Sequence, residues 1–517
     1  MPYNRKENEP VKNRKRNAVR FTAVIALLLC VATAMSSCGI IIINDGKPSS
    51  DVTVPAETTA PPKNEVTGPV IDKSPTLDYI EQSKEYLAAL DSYDFGGDTI
   101  LIRGIGAEKL GGVNASSAGT IISLNKGKRN TAVQEAANAT LSYMDFSVTE
   151  GDLEKAFVDE FKKAIKAGEK YADMVVIPQG LVGTLAIADT LLDVTTLSCN
   201  YAEQPYFDYA AMQASGGGKL YAVAGDATCD PDYLYGVYFN KALIENAGLA
   251  SPYVLAESGE WTFDKYLEYM NTVGASEHGI ENLSLHCFNE ANYADVLYAA
   301  AGYNMLNSAY GAVPTVTLPT DDSMAFLDKI KALFGLKTQW KSSDNEDNPE
   351  DAFSSGDMLF YIAPLSRSNA LSTATYDWGV VPVPKKDAEQ KNYRTLADFD
   401  MPMIVIPKTT ENIEATSYLV NAYFAASYKY LATAYAENQM SYFLRDSQAI
   451  NMVYTIANSA VYDGAYMYGK AYSNVSNATY TSLRSVAGGK SNMQNYYEFY
   501  SSKANSSLKN SFLTPKK

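Results

Sequence analysis

The sequence predicts an α/β protein in two lobes, and three observations carry that expectation. A chain of 517 residues is more than one ordinary hydrophobic core can serve, so two lobes are the default. Apolar residues at 46% against 20% charged fit a folded globular chain and not a disordered one. Between Asp94 and Leu191 buried-type strands alternate with helical patterns, which implies a mainly parallel sheet with its loops at the strand C-terminal ends.

The chain opens on a leader, residues 1–37. It has a basic front, then the apolar run Phe21–Met35, then Ser36-Ser37-Cys38-Gly39. That run is shorter than the about 20 residues a membrane span needs, so it reads as a secretion signal. Small residues directly before a cysteine resemble a bacterial lipobox, with Met35 where leucine is usual and Cys38 lipidated as the new N-terminus. The rival is a retained membrane anchor reaching Ile43, and Ser36, Ser37 and Gly39 make that the poorer span. Residues 38–92 read as a lipid-anchored flexible linker, because 44–74 is too poor in large apolar residues to bury a core. A short helix is predicted over Thr76–Leu90.

The formal net charge is −16, although seven basic and only two acidic residues precede Cys38. The remainder is therefore more acidic still and repels phosphate backbones, which excludes nucleic acid as a partner. Tyrosine is heavily used, 38 against 3 tryptophans. Many amphipathic surface and core positions are the plainer account; stacking platforms in a cleft are the sharper one.

Folding begins near Tyr93-Asp94-Phe95. The strand Thr99–Ile102 ends in the polar, glycine-rich tip Arg103-Gly104-Ile105-Gly106. Helical patterns follow at Thr131–Tyr143 and Asp152–Ala167. The strand Asp173–Pro178 then runs into Gln179-Gly180 and a helix over Leu181–Leu191. Ligands sit at such strand ends, which makes Arg103 and Gln179 candidates by position, against the plainer reading as ordinary loop residues.

The central stretch Gly216–Met270 is the most readable. Leu220–Val223 is a short apolar strand stopped by Gly225 and Asp226, and Tyr235–Asn240 is a second strand. A helix over Lys241–Gly248 has Asn240 as N-cap and Gly248 past its end. Pro252 starts an extended connection, and Thr262 caps a further helix running to about Val273.

That order, carried by Gly218, Lys219, Tyr221, Val223, Phe239-Asn240-Lys241, Ala247-Gly248-Leu249, Pro252 and Trp261-Thr262-Phe263-Asp264, resembles the family 1 extracellular solute-binding proteins of ABC importers, many of which bind sugars. Ala224 departs from the family's usual proline. Phe353–Pro364, Asp377–Lys385 and Ile406–Thr409 extend the resemblance, which runs from about Asp94 to about Gly469. It implies a two-lobed periplasmic-binding-protein-like fold of type II, with discontinuous lobes joined by hinge strands near Val223–Asp226 and Val380–Val383. Lobe one would be 93–225 and 381–440; lobe two would be 226–380 and 441–517. Ligand candidates are then Arg103, Gln179, Asp226, Tyr235, Arg367 (on a helix after Pro364), Trp378 and Asp398. The implied partners are a small solute, a sugar or oligosaccharide before others, the permease subunits of an importer, and the membrane through the lipid.

Catalytic chemistry finds little support. His278 and His286 are eight apart with Gly279 between them and fit no zinc-protease spacing, so no metal site is expected. The acidic run Asp344–Asp351 lacks the glycine and closing glutamate of a calcium loop. No G-x-S-x-G elbow is present, and Gly489-Lys490-Ser491 has Arg484 where a phosphate-binding loop needs glycine. Cys199, Cys229 and Cys287 cannot all pair, so at least one is free or engaged between chains. Nothing calls for a cofactor. The alternative to a transport receptor is a secreted carbohydrate-active enzyme or a receptor for a sensor kinase.

Overall fold

The computed structural model describes residues 86–513 except 114–118, 215, 217, 229–230, 276–283, 289–293, 309–311, 337, 339–347, 443–446 and 491. The leader, Cys38, the linker up to Glu85, residues 344–347, Cys229, His278 and Arg445-Asp446 lie outside the described residues, as do the side chains of His286 and Cys287. All the described residues belong to one unit, Val66–Lys517.

The first sheet grows from alternating strands and helices. β1 (Thr99–Gly104) leads to α1 (Ala107–Gly111) and α2 (Ile121–Ala137), then β2 (Thr140–Asp145), α3 (Leu153–Lys166), β3 (Met174–Pro178) and α4 (Gln179–Ile187). Thr120 and Asp152 cap α2 and α3 by accepting from the backbone N–H groups of Ser123 and Lys155. The helical pattern over Thr131–Tyr143 stops early. Asn138 adopts a left-handed φ of 48°, and the β-prone Thr140–Tyr143 forms strand instead. β1 pairs in parallel with both β2 and β3, and β3 is buried at every position.

The chain then crosses to a second sheet. β4 (Tyr235–Asn240) is wholly buried, and its last residue caps α5 (Lys241–Asn246) by accepting from Leu243 N–H. Where the pattern predicts an extended connection from Pro252, a helix forms, α6 (Pro252–Ser258). Proline is tolerated in a first turn, and Ser251 caps it. After α7 (Phe263–Ala275) come β5 (Ser284–Phe288), α8 (Ala294–Ala300), the short pair β6 (Leu306–Asn307) and β7 (Thr315–Val316), β8 (Met358–Pro364) and β9 (Trp378–Pro382). The sheet order is β5-β8-β4-β9, with β5 parallel to β8 and β4 antiparallel to both its neighbours.

β10 (Thr395–Leu396) and β11 (Pro402–Val405) bring the chain back, and β11 joins the first sheet antiparallel to β3. α9 (Ile413–Tyr442) packs on α2, and α10 (Ser447–Asn458) packs on β9. β12 (Ala460–Val461) pairs with β10, and α11 (Gly464–Gly469) packs on α4. α12 (Tyr480–Ala487) then packs on α8, ahead of α13 (Met493–Leu513). The C-terminal part therefore touches elements of both sheets.

Each sheet contains one reversed strand, and in each it is the first strand after a crossing: β4 and β11. A strand entering from the crossing runs away from it, so the other strands of both sheets end toward it. The crossings themselves are paired. Val223 and Ile404 exchange backbone hydrogen bonds of 2.7 and 3.1 Å, and Asp398 N–H donates to Tyr233 O at 3.0 Å. Gly225 is required here, since a Cβ at its φ of +157° would lie 2.0 Å from Tyr206 O. The return crossing lies later than Val380–Val383. Val380 and Val381 pair with Tyr238 and Val237 inside the second sheet, and it is 397–404 that runs beside 223–234.

Candidate functional site

A cavity of about 360 Å³ opens at the C-terminal ends of β1 and β3, against the paired crossings. Its volume falls in the range of about 300–1,000 Å³ common to small-molecule sites. The polar and aromatic side chains on its wall are Lys109 from α1, Lys126 from α2, Glu154 from the first turn of α3, Tyr233 and Asp400 from the two crossings, and Tyr435 from α9. This is where a sheet of this kind places ligands, outside the carboxyl ends of its strands.

The wall is held by short, mostly charge-assisted contacts. Lys109 Nζ donates to Tyr233 Oη at 2.9 Å and lies 4.4 Å from the centre of that ring. Lys126 Nζ, almost fully buried, donates to Lys109 O at 2.9 Å. Glu154 accepts from Lys470 Nζ with both oxygens, at 2.6 and 2.8 Å, which ties the segment after α11 to the cavity rim. At the end of β2, Asp145 accepts from Glu108 N–H at 2.9 Å and fixes the first turn of α1. Two carboxylates, two ammonium groups and two phenol rings around one volume can grip a neutral polyhydroxylated molecule, with charged groups bonding hydroxyls and ring faces covering apolar C–H surface.

Of the residues singled out from sequence, the structure brings Gln179, Tyr235 and Asp398 together. Gln179 Nε2 donates to Ala397 O and Asp398 O at 3.0 and 2.5 Å, and Tyr235 Oη donates to Asp398 Oδ2 at 2.5 Å. The Gln179 Oε1 atom is buried without a hydrogen-bond partner among the described residues. These three residues join the return crossing to α4 on one side and β4 on the other. Asp226 is buried in the outward crossing, its N–H donating to Tyr206 O. Arg103 sits elsewhere: its guanidinium pairs with Glu160 at 2.8 Å and stacks 4.5 Å over Tyr171, on the α3 side of the sheet. Arg367 lies just past Pro364 and pairs with Glu350 at 3.4 Å. Trp378 opposes Asn240, the far end of β4 from the crossing, and its Nε1 donates to Leu371 O. None of these seven residues lines the cavity; Gln179, Tyr235 and Asp398 lie close in sequence to residues that do, Pro178, Tyr233 and Asp400.

Sequence reasoning passed over Lys109, Lys126, Glu154, Tyr233, Asp400 and Tyr435. A signal existed for four of them: Lys109 follows the glycine-rich tip of β1, Glu154 opens α3, and Tyr233 and Asp400 lie two residues from Tyr235 and Asp398. Among the described residues no group of three or more His, Cys, Asp and Glu side chains is placed to hold a metal ion. Nor is any described helix long and apolar enough to cross a membrane. Cys199 is a free, partly buried thiol.

No protein-family model matches this chain, and no curated protein is similar to it in sequence. Solved structures are similar in fold. A cyclo/maltodextrin-binding protein complexed with maltotetraose superposes with a TM-score of 0.53 at 17% identity, over 82% of this chain and 100% of that one. The galacto-N-biose/lacto-N-biose I-binding protein of the ABC transporter of Bifidobacterium longum, in complex with lacto-N-biose, gives 0.52 at 15%, over 82% and 100%. An ABC substrate-binding protein of Listeria monocytogenes, in complex with cycloalternan, gives 0.51 at 12%, over 80% and 99%. The chain has the two-lobed, periplasmic-binding-protein-like α/β fold.

Proposed function

We propose that the protein is an extracellular solute receptor for an ABC importer, tethered to the membrane through a lipid on Cys38, that closes on a sugar or oligosaccharide and gives it up unaltered. The observation that carries this reading is the cavity at the strand ends of the first sheet, where the rings of Tyr233 and Tyr435 stand beside Lys109, Glu154 and Asp400. The fold supports it, because the similar structures named above are binding proteins and hold a maltotetraose, a lacto-N-biose and a cycloalternan. On this reading lobe one is built on 93–225 and 402–440, lobe two on 226–382, and the paired crossings 223–234 and 397–404 are the hinge. The basic, apolar, small-residue order of the leader supports export and lipidation.

The test is calorimetric titration with maltotetraose, lacto-N-biose and cycloalternan, with recovery of each sugar analysed by mass spectrometry. Binding of at least one without conversion is expected, and free sugar at 100 times its Kd should stabilise the fold by about 2.7 kcal/mol. Absence of binding across the panel, or steady turnover of a bound sugar, overturns the proposal. Mass spectrometry of the N-terminal peptide from membranes should find the mature chain starting at an acylated Cys38.

A further inference from the structure

We infer that Arg129, which takes no part in the cavity wall, is a positioning residue that sets the affinity of the site by holding α1. The inference rests on the reading that a solute binds in the cavity. α1 has only five residues, so the carbonyl groups at its C-terminal end have few partners within the helix. Side chains of α2 satisfy four consecutive ones. Lys126 Nζ donates to Lys109 O at 2.9 Å, Arg129 Nη2 to Leu110 O at 2.8 Å, Asn130 Nδ2 to Gly111 O at 2.9 Å and Ser123 Oγ to Gly112 O at 3.4 Å. Gly112 makes the approach possible, since at its φ of +73° a Cβ would meet Lys126 Cβ at 2.7 Å.

Arg129 is the keystone of this set because it is fully buried and links α2 to two other elements, α1 and α9. Besides Leu110 O it reaches Asn130 Oδ1 at 2.9 Å and Ser427 Oγ of α9 at 3.4 Å, and its guanidinium lies 4.3 Å over the Tyr423 ring. A buried cation at the C-terminal end of a helix also complements the helix dipole. An isolated five-residue helix is far below the length at which helices persist alone. α1, which carries Lys109 and Leu110 of the cavity wall and follows Gly106, is therefore held in place from α2 and α9.

The experiment is hydrogen exchange of the unliganded protein, read by mass spectrometry over α1 and over β3 as reference, for Arg129→Met, Arg129→Lys and Val133→Ala. Val133 is buried on the same helix, so its truncation weakens α2 packing while leaving the α1 carbonyl groups their donors. Arg129→Met should speed exchange in α1 by about tenfold or more while β3 keeps its protection. Arg129→Lys, which keeps the charge and one donor, should recover part of the loss and carries the test if the methionine variant does not fold. Val133→Ala should leave α1 unchanged.

Where α1 is correctly placed in one molecule of ten, the Kd for maltotetraose rises about tenfold. Faster α1 exchange together with that loss of affinity supports the inference. Wild-type exchange in α1 of both arginine variants, equal acceleration by Val133→Ala, or faster exchange with unchanged affinity overturns it. If the wild type binds none of the sugars, the receptor reading fails, while the exchange data still decide whether Arg129 holds α1.

Discussion

Removing the Arg484 guanidinium should cost more stability than any other single truncation in the C-terminal segment. Asp295 on α8 has no solvent exposure, and its carboxylate accepts from Arg484 Nε and Nη2, each at 2.8 Å, and from Tyr466 Oη at 2.6 Å. Arg484→Met keeps most of the apolar stem but strips two charge-assisted bonds from a buried anion. Stranding a buried charge costs about 3–5 kcal/mol, and two lost bonds at about 1.5–3 kcal/mol each agree with that figure. Asp295→Asn should cost less, because Arg484 keeps 26% side-chain exposure and can turn to water. The double variant Asp295→Asn/Arg484→Met should recover about 1.5–3 kcal/mol relative to the sum of the single losses.

Urea denaturation followed by tyrosine fluorescence gives the three differences, provided the slope is unchanged. Burial pushes the Tyr466 phenol well above its ordinary range, so its hydroxyl remains a donor and the deficits should not vary near neutral pH. Arg484→Met within about 1 kcal/mol of wild type, or a double variant less stable than the arginine variant, refutes the reasoning. The network also bears on the hinge, since the Tyr466 ring stacks on Phe399 and Phe399 O accepts from Gly180 N–H.

On the receptor reading, Tyr233→Phe keeps the ring and loses the bond to Lys109, so affinity for maltotetraose should fall by less than for Tyr233→Ala, which loses both; equal losses by calorimetry would show that the ring contributes nothing. Gln179→Leu should cost about 1–2 kcal/mol, because two hydrogen bonds disappear together with a buried unpartnered oxygen. Gln179→Glu faces the carbonyl groups of Ala397 and Asp398, so its carboxyl should hold a proton in the folded state. That variant's stability is then present at acid pH and lost as pH rises through the raised folded pKa, and denaturation at pH 5 and pH 8 should differ in that sense. Burial raises the Cys199 thiol from 9.0 to about 11, so alkylation at pH 8 should reach it only after unfolding. Its contribution to stability is complete below pH 9 and is lost as pH rises through about 11; rapid labelling of the folded chain at pH 8 would contradict the burial.

What the sequence disclosed depended on whether a residue's role is set by its neighbours along the chain. β3 and β4 are unbroken buried runs, and the cap at Asn240 and the stop at Gly248 need only local geometry, so both were legible. The start of α2 was not. Ser123, Lys126 and Arg129 lie on its buried face, and their burial is explained only by carbonyl acceptors on α1, which no periodicity reveals. The same holds for the site. Arg103 ends its strand where a ligand group would stand, yet Glu160 and Tyr171 claim its side chain. Trp378 belongs to a motif that places its strand correctly but sits at the far end of it.

The division of labour among the cavity residues follows from the same topology. Tyr233 and Asp400 lie in or beside the paired crossings, where backbone hydrogen bonds fix their surroundings, and so they would meet a solute in much the same way whatever the hinge angle. Residues that contact the solute equally in two states cannot shift the balance between them; only those whose contacts differ can. On the receptor reading, closure must then be driven by groups carried on the lobes, Lys109 and Glu154 in the first, together with whatever the strand ends of the second bring to face them. Glu154 already engages Lys470 from the segment after α11, which itself packs on α4. Lys470→Met should therefore change affinity and association rate more than stability, because a pair one-third exposed contributes less than about 1 kcal/mol to folding. Stopped-flow binding of maltotetraose beside a denaturation curve separates the two effects, and a loss of stability with unaltered binding would show that the pair belongs to the fold and not to closure.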